Sequence, residues 1–225
     1  GFFGSGKSHL LKMLAHLLGH VDGQAFSREK VSEAFLGKTD DAMLIASLRK
    51  AAAIPAKSLL FNIDQKATLI AKDQTDALLK VFVKVFDESR GYFGNDGAVA
   101  RFEEDLDNRG QYEAFKAAFA THAGIDWSQG REQTALEGHN IDKAFAEVNG
   151  EANPGIIGQY QKSYAVSIED FATSVKAWID KQEPGYRLNF FVDEVGQFIA
   201  DDVKLMLNLQ TFAESLNTKC KGQTW

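Results

Sequence analysis

An α/β fold, built on a parallel sheet and interrupted by a large helical insertion, is what the sequence predicts. Three observations carry it. The chain opens on GFFGSGKS followed by an apolar run at helical spacing; two compact apolar runs, LLFNI at 59–63 and LNFFV at 188–192, suit buried parallel strands; and the stretch between them reads as successive helices. With 225 residues, 44% of them hydrophobic and 25% charged, the chain is long enough to bury a full core.

The first element is the opening motif. Gly1, Gly6, Lys7 and Ser8 stand at the spacing of the phosphate-binding loop known as Walker A. A polyphosphate has to be wrapped by backbone N–H groups, and only small residues such as Gly1, Gly4 and Gly6 let the backbone come that close. The amides of Gly4, Ser5, Gly6 and Lys7 do the wrapping in this reading, and His9 is taken into the same nucleotide-binding set. Leu10, Leu11, Leu14, Leu17 and Leu18 then recur at helical spacing, which puts the phosphates at a helix N-terminus, where the dipole favours negative charge. Gly19 ends that helix. Lys7 supplies a point charge for the β and γ phosphates, and the Ser8 hydroxyl is placed to ligate Mg²⁺. A phosphate loop is held between a buried strand and a helix, so a strand is expected before Gly1 and the chain reads as a piece of a longer protein.

Next in order, Ser27-Arg28-Glu29-Lys30 opens a helix to Phe35, and Asp40 to Ala53 forms another, stopped by Pro55. KSLLFNIDQKA, residues 57–67, is the first strand, with Asp64 at its carboxyl end, on the edge where open α/β sheets place ligands. A polar strand end or a helix cap is the plainer account of Asp64. Helices are expected over Ala67–Ser89, Ala98–Asn108, Gln111–His122, Ile141–Val148 and Ser167–Lys181, the last with a capping-type start. Phe82, Phe86, Phe102, Phe115, Phe119 and Trp178 fall on helical faces, as core residues do, rather than on a base-stacking platform.

The second chemical motif is RLNFFVDEVGQF, residues 187–198. Leu188, Phe190, Phe191 and Val192 make a buried strand that runs straight into Asp193-Glu194, the pattern of a Walker B strand. Asp193 holds the Mg²⁺ through its water shell, and Glu194 orients and polarises the attacking water. An acid pair of this kind serves hydrolysis, since transfer to an acceptor hydroxyl needs no water-activating glutamate. A compact P-loop core needs only two or three helix and strand units between the motifs. The chain therefore divides into the first part of the core at 1–67, a helical insertion at 68–185, and the Walker B strand with its following helix at 186–225.

Composition narrows the class further. The 25 basic against 31 acidic residues leave a net charge of -6, which argues against a generally basic nucleic-acid surface but not against a local basic groove. Cys220 is the one cysteine, so no internal disulfide forms, and a reducing, cytoplasmic setting is expected. The five histidines show no paired metal-ligand spacing. No apolar run approaches the roughly 18 residues that span a bilayer, so no membrane partner is expected.

GFFGSGKSHLLKMLAHLL, LLFNIDQKA and FFVDEVGQFIADDVKLMLNLQTFAESLNTKCKGQTW together resemble the large P-loop ATPases of bacterial BREX phage-defence systems, the BrxC/PglY family. The likeness is densest over 1–18, 57–67 and 187–225. The Walker motifs specify only a P-loop ATPase; the extended VDEVGQF and LMLNLQT stretch carries the family likeness. The resemblance implies an AAA+-like ATPase that uses ATP and Mg²⁺ inside a multi-protein antiphage system. Its partners would be other defence-system proteins and further copies of itself as a homo-oligomer, with DNA near the full-length protein. Lys7 and Ser8 match the family's Walker A, Asp193 and Glu194 its Walker B, and Asn208 and Gln210 its following helix. Past KGQTW the family continues into a strand expected to carry a polar sensor residue, with any arginine finger further on, so the sheet core reads as incomplete at both ends. Two other functions fit the same residues: another P-loop DNA motor, such as a helicase or translocase, and an ATP-dependent scaffold or switch with little turnover. The residues do not distinguish ATP from GTP.

Overall fold

The computed structural model describes residues 6–23, 25–67 and 76–225. It begins with α1 (Lys7–Leu18), α2 (Arg28–Leu36), α3 (Ala42–Ala52), β1 (Ala56–Asn62), the single turn α4 (Ile63–Lys66) and α5 (Ala77–Ser89). There follow α6 (Gly97–Asn108), α7 (Tyr112–Ala123), the turn α8 (Trp127–Gly130), α9 (Thr134–Asn149) and α10 (Ile156–Ser163). The chain then forms α11 (Ile168–Ile179), β2 (Arg187–Asp193), α12 (Val195–Ile199) and α13 (Val203–Lys219). The fold is thus mixed α/β, mostly helical, with a small parallel sheet. It divides into two compact units, Gly1–Val85 with Val166–Trp225, and Phe86–Ala165.

In the first unit β1 and β2 pair in parallel, in register from Ala56 opposite Arg187 to Asn62 opposite Asp193. Single parallel bridges extend the pairing on both sides, His20 to Lys57 beyond β1 and Thr224 to Leu188 beyond β2. Side chains alternate between faces along a strand. Phe61 and Phe190 share one face and meet an aromatic cluster from the helices: the Phe82 ring lies 5.5 Å from Phe61, 5.4 Å from Phe190 and 4.4 Å from Phe212, and Phe171 stacks on Phe212. Ser58 and Asn189 lie on the opposite face, the one that α1 covers. Helix starts are set by side-chain caps that satisfy otherwise orphaned N–H groups. The Asp41 carboxylate accepts from Met43 and Leu44, Asp202 accepts from Lys204 and Leu205, and Ser167 with Asp170 forms a capping box at α11.

The second unit is a helical module with its own core, centred on Phe102, Phe115, Phe119, Trp127, Ile141 and Ala144. Edge-on ring contacts at 5.0 to 5.1 Å join Trp127 to Phe119 and Phe115, and Phe115 to Phe102. α7 and α9 each end on a glycine in the left-handed conformation, Gly124 at φ 71° and Gly150 at φ 78°, which a side chain there would strain. A polar core accompanies the aromatic one. Glu103 is fully buried, and its carboxylate accepts from the Phe93 backbone at 2.5 Å, the Trp127 indole at 2.6 Å and the Arg131 guanidinium at 3.3 Å.

Asp87 in the same unit is a second buried acid, held by Arg90 at 2.5 Å. Burial raises its carboxyl to about 6; Arg90 offsets this only in part, since Glu104 shares that guanidinium and repels the charge. A carboxyl raised above its ordinary 3.8 contributes its stability in full below that value and loses it as pH climbs to about 6. Thermal melts should therefore show Asp87→Asn gaining on the native protein as pH goes from about 4 to about 7. A difference in melting temperature that stays constant over that window would refute the assignment.

Several expectations need correction. The strand expected at 57–67 ends at Asn62, because the Asn62 side chain accepts from Gln65 at 3.1 Å and caps α4; Asp64 sits in that turn. The helix expected at Ile141–Val148 runs from Thr134 to Asn149, its first half being solvent-facing, with Leu136 81% exposed. α8, α10 and α12 were not expected. α10 is started from a distance by Asp142, which accepts from the Gly155 and Ile156 N–H groups. The helix expected from Asp40 to Ala53, α3, begins at Ala42, two residues after Asp40, because Asp41 is the cap. The expected helix Ala67–Ser89 has its described part at Ala77–Ser89, and residues 68–75 lie outside the described residues. The expected insertion at 68–185 is wider than the second unit, Phe86–Ala165, because α11 packs on α13 in the first. Of the apolar residues of β2 only Leu188 is fully buried, and Phe190, Phe191 and Val192 are half-buried. Trp178 is also half-buried, its ring edge-on to Tyr186, whereas Phe82, Phe86, Phe102, Phe115 and Phe119 are core residues.

Candidate functional site

Of the residues expected to bind nucleotide, Gly6, Lys7, Ser8 and His9 are described, and Gly1, Gly4 and Ser5 lie outside the described residues. Gly6 adopts the left-handed conformation at φ 77°, ψ 6°, and its carbonyl accepts from Leu10 at 2.9 Å as α1 begins. A Cβ at Gly6 would meet nothing within 4 Å, so backbone conformation and not space demands glycine there. Lys7 and His9 are exposed and Ser8 is half-buried. α1 has no acidic residue in its first turn, which leaves the positive end of its dipole unopposed. Its apolar run is covered only toward the far end: Leu17 is buried, whereas Leu10 is 55% exposed.

The opposite end of α1 is tied to the beginnings of both strands. His20 donates to the Ala56 carbonyl at 2.8 Å and accepts from Ser58 at 2.7 Å, while the Asn189 amide donates to the Leu18 carbonyl at 3.1 Å. Since α1 also packs along β1 and β2, its Gly6–Ser8 end is directed toward the carboxyl edge of the sheet.

At that edge β2 ends in Asp193, beside Asn62 of β1. Asn189, Phe191 and Asp193 alternate onto the sheet face that α1 covers. The Asp193 carboxylate accepts the Glu194 N–H at 3.0 Å. Glu194 itself is left-handed, at φ 62° and ψ 20°, a conformation costing a non-glycine residue roughly 1–2 kcal/mol. The chain consequently leaves the strand in a sharp turn and enters α12, whose Phe198 and Ile199 are buried and which packs on α4. Nothing in the residue types around Glu194 signals that turn. The next glycine is Gly196, two positions on.

Among the described residues no group of three or more His, Cys, Asp or Glu side chains could hold a metal ion by itself. The expected Mg²⁺ site is sparser, with Ser8 of α1 as a direct ligand and Asp193 of β2 holding the ion through its water shell. No hydrogen bond or ion pair of the described residues joins Lys7 or Ser8 to Asp193 or Glu194. The two further residues that match the resembled family fall elsewhere. Asn208 lines a cleft of about 270 Å³ with Leu78, Leu79, Ile168 and Phe212, and Gln210 donates to Glu214 along α13. No helix of the described residues is long and apolar enough to cross a membrane. The chain matches no model of a known protein family and no solved structure significantly.

Proposed function

We propose that this chain forms part of the P-loop core of an AAA+-like ATPase of the BREX phage-defence family, which as the full-length protein binds and hydrolyses ATP with Mg²⁺ and couples hydrolysis to conformational work on a protein–DNA assembly. One observation carries the reading: the helix that opens on Gly6-Lys7-Ser8 lies against the strand that ends in Asp193-Glu194. Two motifs nearly the length of the chain apart are thereby placed on adjacent elements, one bearing the cationic, dipole-positive groups that a phosphate chain needs and the other the acids that Mg²⁺ and water need.

In this mechanism the N–H groups at the start of α1 and the Lys7 ammonium hold the β and γ phosphates. Ser8 and Asp193 hold the Mg²⁺, which when bound neutralises charge developing on the phosphate oxygens. Glu194, turned off the strand end, would accept a proton from the water that attacks the γ phosphorus, as the bond to the β–γ bridging oxygen breaks and ADP leaves with that oxygen. The third parallel segment adds support. Phe190 donates to the Trp225 carbonyl at 2.7 Å and Trp225 donates back to Leu188 at 3.2 Å, so the acid-bearing strand is flanked on both sides, as a catalytic strand of an open sheet is. The second unit holds twice as many acidic as basic side chains and buries most of its aromatics, so the reading assigns DNA contact to other parts of the full-length protein.

Calorimetry on the full-length protein tests the proposal through Lys7→Ala. Losing an ionic hydrogen bond costs roughly 1.5 to 3 kcal/mol, so Mg²⁺-ATP affinity should fall more than tenfold. Binding within about twofold of the native protein would overturn the assignment.

A further inference from the structure

Asn189 is an unusual residue for its position. It is 5% exposed, in the middle of a parallel strand, where an amide is a poor strand former and a costly group to bury without partners. Its Nδ2 donates to the carbonyl of Leu18, the last residue of α1, across 171 residues of sequence. That carbonyl is one of the four that a helix end leaves without an internal partner. α1 does not close with a left-handed cap, since Gly19 is extended, so the strand supplies the cap instead. The same spot admits nothing larger: a Cβ on Gly19 would come within 2.4 Å of Ser58 Oγ and 2.9 Å of the Ser58 nitrogen. Ser58 is the register partner of Asn189.

Two kinds of tie hold α1 here, and they do different work. The His20 backbone hydrogen bonds fasten the helix end to β1. The Asn189 side chain fastens it by a hydrogen bond to β2. Asp193 lies four residues on and, by the two-residue alternation, on the same sheet face as Asn189. Ser8 lies near the other end of the helix that Asn189 caps. The separation of Ser8 from Asp193 therefore depends on how α1 seats on β2, which is what this hydrogen bond sets.

We propose that Asn189 is a positioning residue for the Mg²⁺ site, holding the phosphate-binding helix in register with the acid-bearing strand. The inference rests on the P-loop reading above. A misplacement of about 1 Å between groups that act together costs on the order of 10²-fold in rate, so a lost cap is felt at Asp193 without any contact to nucleotide.

The test compares Asn189→Leu, an apolar residue of similar size, with Asn189→Ser, too short to reach Leu18, in the full-length protein; the serine variant carries the test should the leucine variant fail to fold. Two quantities are read: ATP affinity in excess EDTA, which reports Lys7 and the helix start, and the Mg²⁺ concentration for half-maximal ATP turnover. The expected result is Mg²⁺-free affinity within about twofold of the native protein and a Mg²⁺ requirement raised about tenfold or more. A folded variant with lowered thermal stability and an unchanged Mg²⁺ requirement would show that the amide is only structural, and overturn the proposal. Native protein that binds no ATP in either condition would overturn the P-loop reading and this inference together, an outcome distinct from the first.

Discussion

Glu194→Gln is expected to leave ATP bound while slowing its hydrolysis by about 10² or more, the scale of a lost general base. Gln keeps the shape of the side chain and removes the carboxylate that, in the proposed mechanism, accepts the proton from water. The left-handed backbone at this residue is set by the turn off β2 into α12, and Gln tolerates it no worse than Glu. Among the described residues the Glu194 side chain makes no hydrogen bond or ion pair, so the melting temperature should hardly move. Asp193→Asn is the informative partner. It should weaken the response to Mg²⁺ as well as turnover, because the proposed mechanism makes Asp193 the metal-facing acid of the pair. Binding by filtration and single-turnover hydrolysis separate the two effects. Should both variants lose nucleotide binding equally while keeping turnover per bound ATP, the division of labour between the acids is wrong.

What could be read from the sequence, and what could not, follows from the range of the interactions concerned. The start of α1, the β1 run Leu59-Leu60-Phe61 and the β2 run ending at Asp193 all carry their signal within a few neighbours, by spacing or by apolar clustering. Caps at Ser27, Asp41 and Ser167 are equally local and mark α2, α3 and α11 within two residues of where those helices start. α10 is different. Its cap, Asp142, stands on α9, and no local pattern around Gly155 carries it. The turn at Glu194 leads into α12, which packs on α4, and leaves no trace in residue type. Asn189 illustrates the same limit at the site, since its partner is Leu18 and the sheet had to be assembled before the pair existed. Glu103 was legible in principle: with Val99, Phe102 and Leu106 it lies on one helical stripe, three of whose four members are apolar. A carboxylate on the core stripe of a helix is a buried charge awaiting partners, and here the partners lie 10, 24 and 28 residues on either side.

That buried charge carries the largest expected effect on stability. Glu103→Ala should destabilise the second unit by roughly 3–5 kcal/mol, the range for breaking a buried ion pair from one side. The reason is what remains behind. The Phe93 N–H and the Trp127 indole N–H lose their acceptor, and the Arg131 guanidinium, whose Nε already lacks a partner, keeps only the Gly91 carbonyl at 3.3 Å. Each orphaned donor keeps its desolvation cost without a bond to offset it. Removal of the side chain also opens a void under Trp127, whose ring contacts with Phe115 and Phe119 organise the aromatic core. Glu103→Gln should fall between alanine and the native residue: one amide oxygen still serves one donor, while the NH₂ group faces another donor and the charge opposite Arg131 is gone. For a domain whose whole stability is about 5–15 kcal/mol, the alanine change alone removes a large fraction. Denaturant melts followed by Trp fluorescence and amide exchange over residues 86–165 give the measurement. A loss below about 1 kcal/mol for alanine, or no ranking of alanine below glutamine, would mean that the carboxylate is not what holds these three elements together.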